Sequence, residues 1–160
     1  MSALNTIANP AMFGSRAVAD AYCTTVRRLY WQDNDNTATP DTIKRVLLSM
    51  NAHTDSEDVQ SKGVRAMRGI ACQNSDSLRN LLALGALDAL YTAADLYPTC
   101  KHLQGYVCYI FHIISHFSSE AADALRAGPA SEIAKRLQRS HAAPSIMTHF
   151  ADLVLETLAL

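Results

Sequence analysis

Cys108, His112 and His116 recur at i, i+4 and i+8 in one apolar segment. On a helix that spacing places all three on one stripe. A thiolate and two imidazoles are good zinc ligands. Two features weigh against a metal. Positions four apart drift around the helix axis, so three ligands on one helix rarely converge on one ion. No Asp or Glu stands beside them to act as the base of an HExxH-type site. The simpler expectation is a packed Cys108 with two histidines at the rim of a core. A small helical metal-dependent protein or enzyme using Cys108, His112 and His116 is the alternative.

Other chemistry finds less support. Four cysteines (Cys23, Cys72, Cys100, Cys108) and six histidines make a Cys–His nucleophile pair conceivable, yet no family signature surrounds any cysteine. There is no GxSxG elbow, no GxGxxG, no GxxxxGK and no paired-carboxylate motif. Asp33 and Asp35 alternate with Asn34 and Asn36 as in a calcium loop, but the glycine and closing glutamate are missing. The expectation is therefore no enzyme activity, no metal and no cofactor. The cysteines are widely spaced within helical segments, which suits free thiols in a reducing compartment better than a disulfide framework. No run approaches the ~18 apolar residues of a membrane span, and residues 1–11 lack the pattern of a signal peptide. A cytoplasmic protein without membrane contact is expected.

The elements that would position these residues are helical. The chain has 160 residues, 49% hydrophobic and 18% charged, which excludes a disordered polymer. Fourteen Lys+Arg against 15 Asp+Glu give a net charge of -1, so no electrostatic footprint for nucleic acid is visible. Six glycines and five prolines are too few for a sandwich with frequent turns. A tail over 1–12 precedes a single domain over 13–160 interrupted by a polar loop at 32–39.

Apolar residues recur at helical spacing in the stripes Val18/Tyr22/Val26/Leu29, Ile43/Val46/Leu47/Met50, Val59/Val64/Met67/Ile70, Leu103/Val107/Ile110/Ile114 and Ile146/Phe150/Leu153/Thr157. Thr39 before Pro40, a Thr54…Glu57 capping box, Asn74 and Ser118 mark starts. About eight helices and no convincing strand result.

Short helix, glycine, medium helix, proline, long helix: this order occurs twice, with Gly85 and Gly128 43 positions apart. A period of ~40–47 residues with two or three helices per unit marks helical repeat arrays. Residues 81–90 (LLALGALDAL), their second copy at 125–128 (LRAG), and residues 43–48 followed by 54–60 resemble the turns and helices of armadillo repeats. The resemblance covers roughly residues 13–160. It implies an all-α, short right-handed α-solenoid of about three repeats plus an N-terminal helix, and a role in protein–protein interaction. HEAT-like repeats are the structural alternative. Peptide-binding members such as importin alpha carry tryptophan and asparagine at fixed sites of each third helix. Here the tryptophan sites hold Arg65, Tyr109 and Asp152, and the asparagine sites hold Gly69, Ile113 and Glu156. Nuclear-signal recognition is not implied.

In this register the third helices fall near 13–31, 56–72, 98–117 and 143–160, and they line the concave face. Arg28, Arg65, Tyr109 and Asp152 would form a row flanked by Arg68, Tyr106, His112, His116 and Glu156. Arg and Tyr are enriched at binding hot spots. The expected function is a non-enzymatic adaptor that binds a protein or peptide there. The last helix ends in Leu155, Leu158 and Leu160, an apolar end that would favour homo-oligomerisation, and a structural oligomerisation unit is a further alternative.

Overall fold

The computed structural model describes residues 14–32, 37–140 and 145–159, with main chain only at 31–32. The tail, Pro144 and Leu160 lie outside these residues. Helix accounts for 82% of the described chain and no strand forms among those residues, so the fold is all-α. The described residues form nine helices: α1 (Arg16–Gln32), α2 (Pro40–Ala52), α3 (Glu57–Ala71), α4 (Ser75–Ala83), α5 (Ala86–Leu96), α6 (Lys101–Ser115), α7 (Ser119–Ala127), α8 (Ala130–Ser140) and α9 (Ile146–Leu158). The sequence pattern gives about eight. Contacts divide the chain into two compact units, Met1–Ala89 and Leu90–Leu160, with the boundary inside α5.

In the first unit α1 lies along α3, with α2 packed on both. Arg16 pairs with Asp55, Asp20 with Lys62, and Tyr30 covers Gly69, so the two long helices run in the same direction. Tyr22, Cys23, Val26, Ile43, Met50, Val64, Met67 and Ile70 fill the core. Leu29, expected on the buried stripe of α1, is exposed, and Tyr30 is buried in its stead. In the second unit α6 lies along α9 with α8 against both. Gly105 faces Met147 and Tyr109 faces Phe150, which again makes the long pair parallel. Leu103, Val107, Ile110, Phe111 and Ile114 form this core with Leu125 and Ile133.

The two glycines of the repeated pattern serve different ends. Gly85 has φ +83°, the left-handed conformation that closes a helix and that a side chain resists. Gly128 has φ -98° and is extended; there a Cβ would collide with the Tyr91 hydroxyl and ring. One supplies a conformation, the other a space.

Helix starts follow their caps. Thr39 accepts from the Thr42 amide (3.2 Å), Asn74 from Ser77 (2.8 Å) and Ser118 from Ala121 (3.2 Å). Thr54 does not cap α3. Ser56 does, accepting from the Val59 amide at 3.4 Å, because residues 53–55 form the turn out of α2. At α9 Ser145 and Thr148 form a reciprocal capping box.

The corner between a medium and a long helix is built the same way twice. Gln60 is 1% exposed, and its Nε2 donates to the carbonyls of Met50 (2.6 Å) and His53 (3.0 Å) at the end of α2. The Ser56 amide also donates to His53 O (3.1 Å). Gln104, 44 positions on, donates through Nε2 to Ala94 O (2.6 Å) and Tyr97 O (2.9 Å), and the Cys100 amide donates to Tyr97 O (3.2 Å). A carboxamide has two N–H bonds and here spends both on helix-end carbonyls, of which Met50 O also accepts from the His53 amide (3.2 Å) and Ala94 O from Arg136 (2.8 Å). The position 44 beyond Gln104 holds Thr148, whose hydroxyl instead accepts from the Ser145 amide in the capping box of α9.

Replacing Gln60 or Gln104 by the similarly long but apolar Met removes two hydrogen bonds to helix-end carbonyls, each worth about 0.5–1.5 kcal/mol net. Each variant is expected to lose about 1–3 kcal/mol, read as a lower urea midpoint with helical circular dichroism retained in the absence of urea.

Candidate functional site

The α6/α9 seam of the second unit gathers the polar aromatics. Gly105 sets its position: a Cβ there would overlap the Met147 side chain, so glycine lets α9 approach. Next along the seam Tyr109 and Phe150 meet edge to face, ring centres 4.5 Å apart and planes at 79°. His149 lies 6.2 Å from Phe150. On α6 the rings of His112 and His116 sit 4.5 Å apart at 65°. His116 caps α6, with Nδ1 2.9 Å from His112 O and 3.2 Å from Ser115 Oγ.

Tyr106, Tyr109 and His112 are half-buried and His116 is exposed. The His112 Nδ1 is buried with no hydrogen-bond partner among the described residues. Burial first, then the charges that His116 and His149 would carry, holds the His112 pKa below the usual imidazole value. This imidazole is kept neutral.

The expected stripe on α9 is not the buried one. Thr148, Ala151, Val154 and Leu158 face the core, while Ile146 is 68% exposed and Phe150, Leu153 and Thr157 are half-buried. Smaller side chains permit close packing beside α6 and α8, which turns the larger ones outward. Sequence reasoning placed Phe150 in the core and passed over His149; both belong to the seam. The signal was present in the alternative stripe three and four residues apart. Asp152 and Glu156 are exposed, and Gln138 of α8 donates to Asp152. Leu155 is half-buried, Leu158 is buried at 9% exposure, and Leu160 lies outside the described residues.

Cys108 belongs to the core rather than to the histidines. It is 0% exposed, and burial pushes its thiol up to about 12, which disfavours the thiolate that a metal or a nucleophilic mechanism needs. Among the described residues no group of three or more His, Cys, Asp or Glu is placed to hold a metal ion. Cys23 is buried with its thiol likewise near 12, whereas Cys72 is exposed and Cys100 half-buried. All four are outside any disulfide.

The remaining candidates lie in the first unit. Arg28 is exposed on α1, while Arg65 and Arg68 are half-buried on α3. Arg27 is half-buried on α1, the helix packed against α3. No helix of the described residues is long and apolar enough to cross a membrane. Comparison with protein-family models, curated proteins and solved structures found no match to this chain.

The lowered pKa of His112 sets a direction for stability. Below the unfolded histidine value of about 6.5 the unfolded chain binds the proton more readily than the folded one. Stability contributed by neutral His112 is therefore present above that pH and is lost as pH falls from there through the folded value. Thermal midpoints should decline across this window, and His112→Gln should flatten the decline.

Proposed function

We propose that this protein is a non-enzymatic adaptor that binds a protein or peptide segment along its long helices. The observation that carries the reading is the α6/α9 seam, where Tyr109, Phe150, Leu153 and Ile146 leave aromatic and aliphatic surface partly open beside two histidines. Half-exposed aromatics with a polar tip are suited to binding hot spots. The buried neutral Cys108 thiol argues against the alternative built on Cys108, His112 and His116.

The proposed architecture is a short right-handed α-solenoid of about three armadillo-like repeats preceded by α1. Support comes from the lengths of α4, α5 and α6 (9, 11 and 15 residues) against α7, α8 and α9 (9, 11 and 13). The glutamine corners at Gln60 and Gln104 add to it. Repeat proteins of this kind present extended surfaces because each repeat contacts only its neighbours. Four cysteines outside any disulfide fit a cytoplasmic setting.

Affinity capture from native lysate, with the parent chain beside Tyr109→Ala and Arg65→Glu variants, tests the reading. A partner retained by the parent should bind Tyr109→Ala more weakly by about 2 kcal/mol, roughly thirtyfold in Kd, with the helical spectrum unchanged. Equal binding by both folded variants would remove these helices from the site.

A further inference from the structure

We infer that the α1/α3 pair of the first unit is a docking surface for an acidic peptide segment. The inference rests on the adaptor reading and gives its partner a chemistry. Arg27 and Arg28 stand on α1, Arg65 and Arg68 on α3. The last carboxylate in α1 is Asp20 and the last in α3 is Asp58, so the C-terminal halves of both helices carry cations alone. Because the helices are parallel and Tyr30 covers Gly69, those halves lie side by side. Arg27 comes three residues before Tyr30, and Arg68 immediately precedes Gly69.

Two ordinary explanations fall short. Cations favour the last turn of a helix because they face its partial negative charge. Only Arg68 occupies such a position; α1 has no basic residue in its last turn. Ion pairing accounts for other cations of this unit, as at Arg16–Asp55, Arg45–Asp41, Lys62–Asp20 and Arg79–Asp76. No ion pair forms at Arg27 or Arg28 among the described residues. Arg65 and Arg68 have partners of their own within the protein, so first contact with a ligand falls to Arg27 and Arg28.

Four arginines on the C-terminal halves of two adjacent helices, in a chain whose net charge is -1, are a local concentration of cations rather than a sign of a generally basic protein. Guanidinium matches carboxylate with two parallel hydrogen bonds, and its stem packs along apolar surface while the head meets the ligand. Two helical turns span about 11 Å, enough for a few carboxylates of an extended peptide. That is short for the six to ten phosphates a typical nucleic-acid footprint neutralises.

Fluorescence anisotropy with the full chain tests the inference. The probes are a labelled peptide of alternating Glu, Asp and Leu, the same peptide with Gln and Asn replacing the acids, and a labelled single-stranded DNA oligonucleotide. The acidic peptide is expected to bind roughly tenfold tighter than the neutral one and to weaken with added salt. Arg27→Glu combined with Arg28→Glu should reduce that affinity roughly tenfold or more. Arg139→Glu, exposed on α8, should leave it unchanged. Equal affinity for acidic and neutral peptides, no effect of the double reversal in a chain of unchanged helicity, or tighter binding of DNA would each overturn the inference. A captured partner that depends on Tyr109, together with failure of the acidic peptide, would overturn this inference alone and leave the adaptor reading standing.

Discussion

A chain made only of helices must end each one somewhere, and every end exposes carbonyls that the helix itself cannot satisfy. At the α2–α3 and α5–α6 corners a buried side chain supplements the turn's own amides as donor to such carbonyls. One glutamine per corner does this, Gln60 below α2 and Gln104 below α5. In the first unit the Gln60 corner lies on the path between the parallel helices α1 and α3. Two helices in the same direction cannot be joined by a tight turn, so the chain must travel back through intervening helices. α2 makes that return between α1 and α3, and Gln60 closes its far corner. Gly63 and Gly105 then admit the Met50 and Met147 side chains, which brings the helices into contact.

Helix positions were legible because several independent signals coincided on them. Stripes on α2, α3 and α6 were buried as their spacing implied, and Thr39, Asn74 and Ser118 capped where expected. Thr54 and Glu57 satisfied a local pattern but lost to the turn that α2 and α3 require, and Ser56 became the cap. On α9 two overlapping stripes had helical spacing. Choosing between them needed the size of the space beside α6 and α8, which no local pattern contains. The Gln60–Gln104 correspondence is in the sequence at a spacing of 44, yet glutamine gives no hydropathy signal and so stands outside the apolar pattern that marks the repeat.

The same distinction governs the site. Cys108, His112 and His116 share a helical spacing, but burial divides them into a core thiol, a half-buried neutral imidazole and an exposed cap. Ligand types at a suitable interval are not a ligand set until one point in space is within reach of all of them. What α6 and α9 do bring together is Tyr109 with Phe150, and His112 within the electrostatic reach of His149. Residues distant in sequence meet there only because the long helices are parallel.

The two inaccessible thiols have a use beyond packing. Cys23 sits in the core of the first unit and Cys108 in that of the second, each at 0% exposure. A thiol of this kind reacts with an alkylating reagent only when its surroundings open, so the chain carries one native clock in each unit. Modification of Cys72 and Cys100 proceeds separately, since neither is fully enclosed. Timing the two slow adducts by mass would reveal whether the units open together or one before the other, without introducing any label that perturbs them.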